Sequence, residues 1–380
     1  MNRAVLVALI ALTGCKKNNS GAGAAPSAPA SKKQMIGLVT DLAGRGDESF
    51  NDSALRGLES WVGGVRFSSG QYLPMSAEDR TASIPPDLRA QVTPLAMTPI
   101  AVQSKAQEDY QPNLQLLVDQ GADLVIGTGF MLENAVEAIA KANPKAKFLL
   151  VDSPILDAKG AVQALPNVRT VVFREEEGSF LVGALAGLVA TEKVGFIGGM
   201  EMPLTRKFEA GFRAGVRATN PQATAMIQYT GSFDNVSAGK QVAQDLINKG
   251  AEVIFHAAGS DGVGVIQAVK EARATGKKVY AIGVDSDQSH LAPEAVLTSM
   301  IKRVDYAVYL AARDLADAKF SSGDVVMGLK EGGVTFAEVK VDFSGKASAL
   351  AKVEALRAQI VSGALHVPAN RDELAAFRAP

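Results

Sequence analysis

One unit recurs along this chain: a short apolar run, a loop carrying glycine and polar residues, and a stretch with the spacing of an amphipathic helix. Its first copy, MIGLVTDLAGRGDESFNDSALRGL (Met35–Leu58), reads as a strand over Met35–Thr40, an acidic loop over Asp41–Glu48 and a helix opening near Ser49. Such alternation leaves few folds open, because parallel neighbours need a long crossover and a helix supplies it while covering the sheet. The expectation is an α/β chain with doubly wound parallel sheets. Loops leaving the carboxyl ends of such strands wall the ligand crevice. The first loop would put Asp41, Asp47, Ser49, Phe50 and Asn51 there, offering carboxylates, a hydroxyl, an amide and an aromatic face. That mixture suits a small polar ligand with a flat ring, although Ser49 by itself reads as a helix cap and either aromatic by itself as core.

Later copies place strands at Leu95–Val102, Asp123–Gly127, Lys147–Val151 and Asn167–Phe173, then at Val194–Ile197, Ala223–Tyr229, Glu252–His256, Lys278–Val284 and Val296–Met300. Helices lie between them. The strand exits are Asp41, Thr128, Asp152, Met200, Gly259 and Asp285, which gather most of the unusual residues and imply one crevice between two similar lobes. Trp61–Ala90 breaks the rhythm: it is rich in Gly, Ser and Pro, lacks periodicity and reads as a surface insertion.

A length of 380 residues exceeds one small core, and 47% hydrophobic residues suffice for two. A formal net charge of -1, with no basic stripe, disfavours nucleic acid as a partner. The chain's one cysteine, Cys15, follows an apolar run (Ala4–Leu12) and the small-residue pattern Leu12-Thr13-Gly14. This resembles a bacterial lipoprotein signal, in which the cysteine is lipidated and becomes the first residue of the mature chain. KKNNSGAGAAPSAPASKK (Lys16–Lys33) cannot bury enough apolar area to fold and reads as a tether to a membrane surface.

Chemistry narrows the crevice further. Gly127-Thr128-Gly129 opens like a dinucleotide fingerprint, but Leu132 replaces the third glycine and no phosphate-cradling Walker pattern occurs. His256, His290 and His366 lack metal-ligand spacing, and His256 reads as a strand residue with a satisfied ring. Glu175–Glu177 open a helix and complement its dipole. Phe50 and Phe208 occupy matching positions on opposing lobes, where they would sandwich a planar base. Asp41 would accept from base N–H groups, Asp285 from sugar hydroxyls, and Lys302 would donate to them.

The blocks VTDLAGRGDESFND, DYQPNL, EEGSFLVGALAGLVA, VGFIGGMEMPLTRKFEAGFRAG, AIGVDSDQ, VLTSMIKRVDYAV and GLKEGGV, in this order, resemble the BMP/PnrA-type substrate-binding lipoproteins of ABC transporters over about Met35–Pro368. The resemblance implies a type I periplasmic-binding-protein fold, two Rossmann-like lobes with an interlobe cleft and three crossings, and a nucleoside receptor serving a membrane permease. It implies no catalysis and no cofactor. By position it makes Asp41 the base-recognising carboxylate, Phe50 and Phe208 the stacking pair, and Asp285 and Lys302 the ribose contacts. Gly259 would allow close backbone approach, with Ser49 and Asn51 as further candidates. Trp61–Ala90, Leu42 and Arg45–Gly46 depart from the family pattern.

The expected organisation is a signal over 1–15, a tether over 16–34, a first lobe over 35–155 plus 286–330, and a second over 156–285 plus 331–380. The protein is expected as a monomer, lipid-anchored in the cell envelope. Two rivals use the same cleft: a nucleoside- or sugar-processing enzyme built on Asp41 or Glu177, and a ligand sensor.

Overall fold

β1 (Met35–Thr40) organises the first half of the molecule. From Ile36 to Thr40 every residue is buried, with Ile36 and Leu38 in one apolar core and Val39 in the other, as a central strand covered on both faces requires. The structure is a computed structural model and describes residues 33–379. The expected signal, Cys15 and nearly all of the expected tether lie outside these.

In chain order β2 (Val65–Ser68) and β3 (Gln71–Pro74) form a separate antiparallel hairpin. They are followed by β4 (Thr98–Gln103), β5 (Leu124–Thr128), β6 (Phe148–Val151), β7 (Val168–Phe173), β8 (Lys193–Gly198), β9 (Thr224–Tyr229), β10 (Val253–Ala257), β11 (Tyr280–Asp285), β12 (Val296–Lys302), β13 (Gly323–Met327) and β14 (Val334–Phe336). Two six-stranded sheets result, ordered β13-β7-β6-β5-β1-β4 and β14-β12-β11-β10-β8-β9. Only β14, antiparallel to β12, departs from parallel pairing in these two sheets. This is the doubly wound, two-lobed architecture expected from the sequence.

The sheets divide the chain differently from the expected boundaries. β7, expected in the second lobe, pairs with β6 through Leu150↔Thr170 and with β13 through Val171↔Val325, so it belongs to the first sheet. β12, expected in the first lobe, pairs with β11 in the second. An apolar run records that a strand is buried but not which parallel neighbour it joins. The chain changes sheets three times: at Arg174, at Arg303 and over Gly328–Gly333. The crossings are tied together, Arg174 N donating to Met327 O (3.1 Å) and Arg303 N to Gly333 O (2.8 Å). Glu177 accepts from Leu329 N at 2.7 Å across the same junction.

Trp61–Ala90 is not a loose surface insertion. Trp61 is fully buried, and Ile84 and Leu88 join the same core. The helix Phe50–Leu55 continues in wider π geometry through Gly63, leaving terminal carbonyls to satisfy. Arg80 satisfies two of them, donating to Ser60 O (2.8 Å) and Trp61 O (2.7 Å), and also donates to Leu95 O. One arginine thus gives an aperiodic segment a fixed position.

Candidate functional site

Every loop that walls the principal cavity leaves the carboxyl end of a strand. Asp41 follows β1, Gly129 and Phe130 follow β5, Asp152 follows β6, and Gly259 follows β10, while Asp285 and Lys302 are the last residues of β11 and β12. These side chains and backbones line a single cavity, together with Asp47, Phe50, Asn51, Thr205, Phe208 and Phe233. Because the lining comes from both sheets, the cavity is the interlobe cleft.

The first loop is held from beneath by Asp47, which is fully buried. Its carboxylate accepts from Asn51 N (2.7 Å), Ser49 N (2.9 Å), Asp52 N (3.1 Å) and Asn51 Nδ2 (3.0 Å), satisfying donors at the start of the helix. Asn51 in turn donates to Asp41 Oδ1 at 2.7 Å, fixing that carboxylate at the cavity wall. Asp41 Oδ2 lies over Gly129, where a Cβ would come within 3.2 Å of it. Burial pushes the Asp41 carboxyl up to about 6, against the bonds from Asn51 and Ala43. Burial likewise raises Asp47 to about 6.

On the opposite wall Lys302 is nearly buried, its Nζ 2.5 Å from Asp152 Oδ2 and 3.8 Å from Asp285 Oδ1. Burial alone would pull the ammonium down, but Asp152, Asp285 and Glu175 outweigh it and hold Lys302 above the ordinary lysine value. Asp285, farther from the ammonium, stays raised to about 6 by burial, with Asp152 adding to the rise and Lys302 opposing it. Both aspartates take left-handed backbone angles, φ 72° at Asp152 and 64° at Asp285, a conformation Asp adopts more easily than most residues. Asp152 Oδ1 and Asp285 Oδ1 are buried and accept no hydrogen bond from the protein.

Phe50 and Phe208 both line the cavity and flank the same charge, with Lys302 Nζ 4.7 Å from one ring centroid and 5.5 Å from the other. Four carboxylates face one ammonium here, so the cavity is rich in acceptors. A ligand matching it needs several N–H or O–H donors and an apolar, polarisable face.

Of the residues singled out from sequence, Asp41, Phe50, Asn51, Phe208, Gly259, Asp285 and Lys302 line this one cavity. Ser49 does not. It is buried behind the wall and donates from Oγ to Asp285 Oδ2 at 2.9 Å, bridging the two halves. His256 is also corrected: its ring is fully buried, neither nitrogen has a hydrogen-bond partner, and burial lowers its pKa to about 4, so it is neutral. Glu175 does more than complement a dipole; it is fully buried and pairs with Lys207 at 3.1 Å. Among the described residues no cluster of His, Cys, Asp and Glu could hold a metal ion, and no helix is long and apolar enough to cross a membrane. Sequence reasoning left Asp152, Phe130, Thr205 and Phe233 out of the site. Asp152 was visible as a strand exit, and a low aromatic content of 6% makes any loop phenylalanine a signal.

Residues 33–371 match the family model of the PnrA-like ABC transporter substrate-binding protein. A CD4+ T-cell-stimulating antigen of Listeria monocytogenes is 34% identical over 351 residues, covering 89% of each chain. The ABC transporter nucleoside-binding protein BmpA of Lactococcus lactis is 32% identical over 379 residues, covering 96% of this chain and 97% of the relative. Among solved structures, an ABC transporter solute-binding protein from Aeropyrum pernix K1 superposes with a TM-score of 0.72 at 26% identity, covering 90% of this chain and 96% of that one.

Proposed function

Since the chain belongs to the PnrA-like family of ABC transporter substrate-binding proteins, we propose that it captures a nucleoside, a purine nucleoside first of all, in the interlobe cavity and delivers it to a membrane permease. The observation that carries this reading is the convergence of two aromatic rings, unfilled carboxylate oxygens and one buried ammonium in a single cavity. In it Phe50 and Phe208 stack on the base and Asp41 accepts from the base edge. Asp285 accepts from, and Lys302 donates to, the sugar hydroxyls, while Gly259 lets the backbone approach and Asn51 orients Asp41. Ser49 acts through Asp285. The name of the Lactococcus relative, a nucleoside-binding protein, supports the ligand class.

Closure of the two bodies would exclude water and strengthen each of these contacts. The surplus of carboxylates disfavours a phosphorylated ligand by like-charge repulsion. In this reading the ligand leaves unchanged, the protein works as a monomer without a cofactor, and Cys15 carries the lipid that holds it at an extracytoplasmic membrane face. Calorimetric titration of ligand-stripped protein with guanosine, inosine, adenosine and cytidine tests it. Binding of at least one nucleoside, recovered intact, is the expected result; no heat with any of them removes the nucleoside, and release of free base reverses the receptor reading in favour of an enzyme.

A further inference from the structure

Behind the crossing at Arg303 lies a second hollow, a groove of about 700 Å³. The insertion supplies one wall with Pro85, Pro86 and Asp87, and the second-sheet body supplies the other with Ser286, Phe336 and Lys340. Consecutive residues divide between the two hollows. Asp285 and Lys302 line the ligand cavity, whereas Ser286, Ile301 and Arg303 line the groove, as neighbours do where a chain runs extended. The cavity and the groove therefore flank the same connecting segments from opposite sides. Swinging the bodies apart at the cavity brings the groove's walls together.

The insertion is fastened to this pivot. Arg303 Nη2 donates to Asp87 Oδ1 (2.8 Å) and Oδ2 (2.6 Å). Arg303 is 6% exposed and its Nε has no partner, so among the described residues Asp87 is the only hydrogen-bond partner of its side chain. The backbone of Arg303 is tied to the third crossing through Gly333 O. At its other end the segment folds back on the π-helix that begins it, Arg80 donating to Ser60 O and Trp61 O, and Trp61 Nε1 to Ser83 O at 3.3 Å.

We propose that the insertion is a hinge brace: anchored to the crossing by the Asp87–Arg303 pair and standing across the groove, it limits how far the two bodies open. Asp87 and Arg303 are positioning residues, remote from the ligand. A ligand-free protein held near its closed geometry has less reorganisation to complete on binding, so its apparent affinity is higher. The proposal rests on the capture reading only for its effect on affinity; the opening angle is a property of the empty protein.

The test places spin labels through Gln107→Cys and Ser237→Cys in the full chain carrying Cys15→Ser, on exposed positions beside the Phe130 and Phe233 loops, and measures their separation with and without Asp87→Ala. Without ligand, Asp87→Ala lengthens and broadens the distance distribution, Asp87→Glu restores it, and thermal midpoints stay close. With excess guanosine the two distributions converge, and guanosine affinity of Asp87→Ala falls about threefold or more. Superimposable ligand-free distributions would overturn the brace. If Asp87→Ala does not fold, Asp87→Asn, which keeps the shape and one acceptor, decides on the same distances. Absence of any guanosine response in the parent counts against the nucleoside reading and leaves the ligand-free distances to decide the brace.

Discussion

Phe130 and Phe233, which leave different sheets, meet edge to face with ring centroids 6.1 Å apart and planes at 65°. Both line the cavity and both are half-buried, so the contact spans the two halves of its wall. The Phe233 ring rests on Gly199, where a Cβ would come within 2.4 Å of it. A contact of this kind exists only when the halves are together.

Phe233→Ala should therefore speed ligand release more than it slows association. An edge-to-face pair contributes about 0.5–1.5 kcal/mol, so the dissociation rate rises roughly two- to tenfold. Stopped-flow displacement with a nucleoside reads this directly, and an unchanged dissociation rate would leave the pair as ordinary packing.

Asp41→Asn should stabilise the empty protein while weakening binding. The Asp41 carboxyl is raised from 3.8 to about 6, so the folded state holds its proton more tightly than the unfolded chain. Stability from this group falls as pH rises from 3.8 through about 6 and is flat above. Removing the charge relieves a penalty on the order of 1–3 kcal/mol at neutral pH. Asp47 and Asp285, also raised to about 6, give slopes of the same sign. Thermal melts from pH 4 to 8 check the direction; a substitution that lowers the midpoint at pH 7 would contradict it.

Lys302→Met should be costly even without ligand. It strands Asp152 and Asp285, both buried, beside each other. Breaking a buried pair costs about 3–5 kcal/mol. The loss should be larger at pH 8 than at pH 5, where protonation relieves Asp285, and denaturant titrations at the two values measure it. An equal loss at both would mean that the cation is not balancing these charges.

How far the sequence reveals this site depends on what one strand and its loop can record. Asp41, Phe50 and Asn51 were legible together because they lie on a single strand-loop-helix unit. Asp152 was visible as a strand exit but not as a site residue, since its partner Lys302 lies 150 residues away. Phe233 sits in a Gly-Ser-Phe-Asp-Asn loop with no periodicity, and only the approach of Phe130 from the other sheet gives it meaning. β7 and β12 were correctly read as strands and assigned to the wrong halves, because parallel pairing is chosen by packing rather than by order along the chain. Trp61 was hidden among glycines, and its burial depends on Arg80 closing the segment over it.

The position of a bound nucleoside tests the central claim most directly. A crystal structure of the protein with guanosine should hold the base between Phe50 and Phe208, its edge against Asp41, and the sugar hydroxyls within hydrogen-bond reach of Asp285 and Lys302. Guanosine found outside this cavity, or inside it with neither ring on the base, would contradict the account.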